Sequence, residues 1–299
     1  MLVLDSSGSL ASPSSTLPNL KAAAINNFVQ RFAAGTGGDR VGVVTFASGA
    51  VVSVPINKTV TRGFNLTSVT AAVNAVQASG STAQAEGLRI ALGELDAIPA
   101  TLRSSLRVIA FFSDGAPNDV SAVFTRVPSN STVTGDLYSE TGGPASAKAT
   151  RLYSNTSLNT LTGTYTDIAT LPTLGLGGIP LAGYNGLRTL SGSPVTNTQC
   201  NVNKAARNMA ENVANMARSE QVLVMTVGLG AALTSNELTY CGYGATEYGA
   251  NILRRFANAN NSDTFNANQS TGMYCYAADS TQLSICFNLI ADAVLRLTQ

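Results

Sequence analysis

The sequence predicts a doubly wound α/β fold: a mainly parallel open sheet with helices on both faces, one antiparallel edge strand and a long irregular insertion. Three observations point to it. Val108–Phe112 (VIAFF) and Val222–Val227 (VLVMTV) are continuous apolar runs without alternation, as expected of strands covered on both faces. Helical patterns separate the strand-like runs, which is the rhythm of βαβ crossovers. Both apolar runs stop at polar, glycine-bearing turns, Ser113-Asp114-Gly115 and Gly228-Leu229-Gly230.

Taken in order, Leu2, Val3 and Leu4 form a first strand that runs into Asp5 and then a Ser/Pro/Gly turn. Leu20, Ala23, Ala24, Phe28 and Phe32 recur at helical spacing, and Gly35, Gly37 and Gly38 end that helix. Arg40–Ala47 and Val51–Ile56 are β-branched runs split by Ser48-Gly49, which reads as an antiparallel hairpin. Helical patterns follow over Leu66–Gln77 and Thr82–Leu95. Beyond the VIAFF strand, residues 118–199 break the rhythm, being rich in Thr, Ser, Gly, Leu and Pro and sparse in charge. The stretch is too apolar for a disordered linker and too long for a structureless loop, so it reads as an insertion of irregular loops and short strands beside Asp114. The domain is thus read as a first part over 1–117, the insertion over 118–199 and a second part over 200–299.

In that second part Ala206, Met209, Ala210, Val213 and Ala217 share one face of a helix over about Lys204–Ser219. A short helix near Ala250–Ala257, a strand at Met273–Ala277 and a last amphipathic helix complete the pattern. Leu283, Cys286, Phe287, Ile290, Val294 and Leu297 line one side of the last helix, and Asp279 or Ser280 can cap it. The Arg254-Arg255 pair at a helix end reads as solvated or as complementing the helix dipole.

Composition narrows the function. A net charge of +1 with 12% charged residues gives no basic field for a phosphate backbone, so nucleic acid is not an expected partner. The absence of histidine removes the commonest general base, the Ser-His-Asp and Cys-His systems and the usual zinc ligand. No stretch of this sequence approaches the length of a membrane span, and no n-region and h-region open it. The first strand begins at residue 2, shorter than the usual five or six residues, so upstream sequence is expected, and any anchor would lie there. Cys200, Cys241, Cys275 and Cys286 lack C-x-x-C spacing; their even number in a polar chain suggests two disulfides in an extracytoplasmic compartment, with buried thiols as the alternative. Of the three pairings, Cys275 with Cys286 and Cys200 with Cys241 are favoured, the first because it joins the last strand to the last helix.

The chemistry concentrates in Asp5-Ser-Ser-Gly-Ser9, a D-x-S-x-S pattern at the carboxyl end of a strand. Oxygens at alternate positions of such a loop can converge on one point, and carboxylates and hydroxyls are hard ligands suited to Mg2+ or Mn2+. Asp and Ser are also ordinary turn and capping residues, so the loop alone is weak evidence. Thr82, after Gly80-Ser81 at the head of a helix, and Asp114, at the tip of the VIAFF strand, supply oxygens from where ligand sites of open sheets gather.

This order of D-x-S-x-S, Gly-Ser-Thr and S-D-G resembles the metal-ion-dependent adhesion site of von Willebrand factor type A (VWA) domains. The resemblance covers about residues 1–115 and 203–299. It implies a Rossmann-like sheet with one antiparallel edge strand and a Mg2+ at its top, with Mn2+ or Ca2+ as alternatives. In the family pattern Ser7 and Ser9 ligate directly, Thr82 directly or through water, and Asp5 and Asp114 largely through water. Gly80-Ser81-Thr82 departs from the more common Gly-Gly-Thr and keeps the hydroxyl. A narrower similarity, carried by Cys200–Ala217, VLVMTVGLG, Leu253-Arg-Arg-Phe-Ala-Asn258, Gly272-Met-Tyr-Cys-Tyr-Ala277 and Leu295-Arg-Leu-Thr-Gln299, is to bacterial TadG-like pilus-assembly proteins. It implies an extracytoplasmic domain, membrane-anchored only through a segment missing from this chain.

The expected function is therefore binding rather than catalysis: a protein ligand presents an Asp or Glu carboxylate to the cation. The alternative is a structural pilus or envelope component whose metal is only a fold staple and whose insertion makes the contacts. A metal-assisted hydrolase with Asp114 as base is disfavoured, because no acid or base stands next to a nucleophile.

Overall fold

A computed structural model of the protein describes residues 1–140, 144–235 and 241–297. Parts of the insertion and of the terminal LRLTQ phrase fall outside these residues.

The main sheet contains β1 (Leu2–Asp5), β2 (Val43–Phe46), β3 (Ala50–Val54), β4 (Arg107–Ser113), β9 (Val222–Leu229) and β10 (Tyr274–Ala277), in the order β10-β9-β4-β1-β2-β3. All neighbours are parallel except the β2–β3 hairpin, which leaves β3 as the single antiparallel edge. The doubly wound sheet expected from the sequence is thus present. On one face lie α3 (Gln84–Asp96), α4 (Gln199–Ser219) and α5 (Gly249–Ala257). On the other lie α1 (Thr16–Ala23), α2 (Leu66–Ala75) and α6 (Leu283–Arg296). The unbroken apolar run of β4 follows from this double cover: Ile109 and Phe111 face α3–α5, and Ala110 and Phe112 face α1 and α6. Phe111 stacks on Phe46 at 5.1 Å and meets the edge of Phe256 at 5.7 Å, so one ring joins β4, β2 and α5.

Three elements differ from the sequence reading. The helix expected over Leu20–Phe32 starts earlier, as α1, and continues through a π-turn at Ala24–Phe28 into a 3-10 turn at Val29–Arg31. The insertion expected to hold irregular loops and short strands does hold strands, but they join into a second sheet, a meander of β5 (Asp119–Thr125), β6 (Thr132–Tyr138), β7 (Arg151–Tyr153) and β8 (Leu161–Thr164), with seven residue pairs between β5 and β6. Helix α4 begins at Gln199 rather than near Lys204, because Val202, Ala205 and Ala206 pack against Val120, Ala122, Phe124 and Leu137 of that second sheet. Thr198 caps it, its hydroxyl accepting from Asn201 N at 3.3 Å. One helix thus serves both sheets.

Both favoured disulfides are present, Cys200–Cys241 and Cys275–Cys286. Arg255 corrects the reading of the Arg254-Arg255 pair. It is 1% exposed and binds Asp263 at 2.6 Å, Glu211 at 3.1 Å and Glu247 at 3.3 Å, while Arg188 binds Glu211 at 2.5 Å from the other side. A buried carboxylate between two guanidiniums is what permits arginine to leave water here. Arg254 instead lies over the Tyr274 ring at 4.9 Å. Among the described residues no helix is long and apolar enough to cross a membrane.

Phe111→Ala should destabilise the protein by about 3–5 kcal/mol, since a fully buried ring leaves a cavity between three elements. Urea unfolding checks this, and Phe46→Ala in the same background should add less than it costs alone, because the two rings share their contact.

Candidate metal centre

The site sits at the carboxyl ends of β1 and β4, neighbours at the middle of the sheet. Asp5 is the last residue of β1 and is fully buried. Its Oδ1 accepts from Ser7 N at 2.7 Å, which folds the D-x-S-x-S loop back on itself, and its Oδ2 accepts from Ser113 Oγ at 2.5 Å. Ser113, the last residue of β4, is in turn held by Gln84 Nε2 at 2.8 Å. The same Gln84 amide donates to Gly115 O at 2.8 Å, fixing the turn that follows Asp114.

The loop oxygens do converge. Ser9 Oγ donates to Asp114 Oδ1 at 2.9 Å, Ser7 Oγ lies 3.4 Å from the same oxygen, and the two hydroxyls are 3.1 Å apart. Thr82 comes in from the third loop, its Oγ1 3.8 Å from where a side chain on Gly115 would begin. That loop is pinned to the first one: Gly8 N donates to Gly80 O at 2.9 Å and Ser79 N to Ser6 O at 2.8 Å. Gly80 has φ +84°, a conformation open to glycine. Gly8 is needed for another reason, since a Cβ there would stand 3.3 Å from Gly80 O.

Four neighbours of the site were not singled out from the sequence. Ser113 and Gln84 hold Asp5 and the Asp114 turn, as described. Asn118 Oδ1 and Asp119 Oδ2 both accept from Thr82 N, at 2.8 and 3.0 Å, and so set where Thr82 stands. A glutamine in a helix and an Asn-Asp pair after a turn carry no sequence signal of such a role. Only Ser113, inside the S-D-G turn, had one.

Charge distinguishes the site from an ordinary capped turn. Burial raises the Asp5 carboxyl to about 6, against the pull of its hydrogen bonds from Ser113 and Ser7. Burial, and then the nearby Asp5, raise Asp114 to about 7. Among the described residues no lysine or arginine pairs with either carboxylate. Nor do three His, Cys, Asp or Glu side chains gather into a metal cluster among them. The donor set is two carboxylates and three hydroxyls, all hard oxygens, and it fits a small divalent cation that would supply the missing positive charge.

Comparison with known proteins agrees with this architecture. Residues 1–116 match a family model described as von Willebrand factor type A domain. No curated protein matches the chain. Among solved structures, the vWF domain of the type V pili tip protein Mfa5 from Porphyromonas gingivalis is similar at a TM-score of 0.56 and 14% identity, covering 100% of this chain and 95% of that one. The pilus adhesin SpaC from Lactobacillus rhamnosus GG is similar at a TM-score of 0.52 and 14% identity, over 99% of this chain and 30% of that one. The chain therefore has the fold of a von Willebrand factor type A domain, and its first 116 residues match the model of that family.

Proposed function

We propose that this chain is an extracytoplasmic binding module of a bacterial envelope or pilus-assembly protein of the TadG-like kind, which captures a carboxylate-bearing protein ligand at a divalent cation, Mg2+ by preference. Asp5, Ser7, Ser9, Thr82 and Asp114 would hold the ion. The observation that carries the reading is the pair of buried carboxylates, Asp5 and Asp114, gathered with two serine hydroxyls and without a basic partner among the described residues. A bound cation would supply positive charge for an incoming Asp or Glu.

The chain's own residues do the rest. Hydroxyls of Ser7, Ser9 and Thr82 are neutral, so with Asp5 and Asp114 acting through water the ion would keep most of its positive charge for that carboxylate. Ser113 and Gln84 keep Asp5 oriented, and Asn118 and Asp119 keep Thr82 in place. The two disulfides suit an oxidising compartment, and two of the solved structures similar in fold come from a pilus tip protein and a pilus adhesin.

Asp5→Ala and Asp114→Ala should each weaken Mg2+ binding to metal-stripped protein by about 10–100-fold or more, measured by calorimetric titration. Thr82→Ala should reduce retention on an acidic peptide in Mg2+ more than it lowers the melting temperature. Unchanged Mg2+ affinity in all three variants would refute the assignment.

A pH dependence follows from the raised carboxyls. A folded-state value above the unfolded one means that the metal-free protein holds protons more tightly when folded, so this stabilisation is fully present below the unfolded value of 3.8 and is lost as pH rises from there through about 6 to 7. Thermal melts should show the metal-free protein weakening across that window. Mg2+ should reverse the loss, and its affinity should rise with pH over the same range as binding displaces protons.

A further inference from the structure

Between the two sheets lies a second acidic group. Asp119 and Ser121 on β5 and Asp136 on β6 project from the face of the small sheet opposite its Val120, Ala122 and Leu137 core, with Ser121 directly across from Asp136. All three side chains are fully buried. Asp119 Oδ2 is used by Thr82, but Asp119 Oδ1, Ser121 Oγ and both carboxylate oxygens of Asp136 have no hydrogen-bond partner. Buried oxygens are almost always satisfied, so four orphans together call for a missing partner.

The charge balance gives its sign. Glu86 at the start of α3 also bears on Asp136, and the one guanidinium acting there, Arg89, is already bound by Glu86 at 2.9 and 2.5 Å. Were all three carboxyls ionised, one guanidinium would leave two negative charges unbalanced in a water-excluded space, so their ionisation calls for a cation. Burial, with Glu86 next, pushes the Asp136 carboxyl well above its usual range; Ser121 offsets part of this without closing a hydrogen bond of ordinary geometry.

Backbone oxygens face the same space. A Cβ on Gly49, in the β2–β3 turn, would stand 2.3 Å from Ser154 O, 2.4 Å from Ser157 O and 3.1 Å from Asp136 Oδ2. Two carbonyls of the β7–β8 loop and a carboxylate oxygen therefore gather against the Gly49 Cα, where a side chain would crowd them. Carbonyls combined with carboxylate and hydroxyl oxygens are the ligand set of Ca2+, which tolerates irregular cages of six to eight oxygens where Mg2+ demands an octahedron.

We propose a second cation site, for Ca2+, formed by Asp136, Ser121 and the carbonyls of Ser154 and Ser157 beside Gly49, with Asp119 adding charge next to it. An ion there ties the β7–β8 loop and β6 to the β2–β3 turn. Through Asp119 it also steadies Thr82.

The test is Ca2+ stoichiometry, by equilibrium dialysis and metal analysis, on the metal-stripped full chain carrying Asp114→Ala to disable the first site. One equivalent of Ca2+ is expected, falling to none in Asp114→Ala/Asp136→Asn and binding more weakly in Asp114→Ala/Ser121→Ala. The serine variant keeps both carboxylates and answers the question if Asp136→Asn does not fold. No bound Ca2+ in Asp114→Ala overturns the proposal. So does an equivalent retained at unchanged affinity in both double variants, or an Asp136→Asn protein that melts higher than the unsubstituted chain with Ca2+ uptake unaltered. Mg2+ titration of Asp136→Asn reads the first site separately, so failure of either site is distinguishable from failure of the other.

Discussion

Two carboxylates withdrawn from water at the ends of adjacent parallel strands, with no lysine or arginine among the described residues to meet them, are the constraint around which the top of the sheet is organised. Neutral dipoles answer that charge only in part. Ser7 N and Ser113 Oγ donate to Asp5, Ser9 Oγ donates to Asp114, and Gln84 fixes Ser113 from behind. The sheet makes this arrangement affordable, because β1 and β4 are pinned by apolar cover on both faces and cannot swing their last residues toward solvent.

The small sheet belongs to the same construction. Its apolar face is covered by the first turns of α4, whose later turns cover the main sheet. Arg188, from the stretch after β8, enters a buried network with Glu211 of α4 and Arg255 of α5. Each partner removed alone would leave an uncompensated buried charge. Residues 118–198 are therefore not a detachable appendage, and the first two of them, Asn118 and Asp119, reach the Thr82 peptide directly.

How much of this was legible depends on whether a pattern is local. The parallel strands were readable because double cover demands unbroken apolar runs, and VIAFF and VLVMTV have them. The oxygen-bearing loops were readable because strand ends with Asp and Ser are compact signals; Ser7 and Ser9 meet Asp114, and Thr82 stands beside Gly115. The early start of α4 was not, since the surface that stabilises its first turn comes from strands some eighty residues earlier in the chain. Arg255 was misread for the same reason: its acid partners Glu211 and Glu247 belong to other elements, and an arginine at a helix end looks solvated until they are known. Strands β5 and β6 were obscured by composition. Thr, Ser and Asp on one face lower their mean hydropathy, although the opposite face is as apolar as any core strand.

The Cys275–Cys286 bond has a mechanical corollary. It joins β10, the outer strand of the sheet, to the first turn of α6. Tension applied to the far end of α6 can peel away the turns beyond Cys286 by stripping Phe287, Ile290 and Val294 from the sheet one after another. At Cys286 the peeling meets a covalent tie, and the load passes into a strand paired along its length with β9.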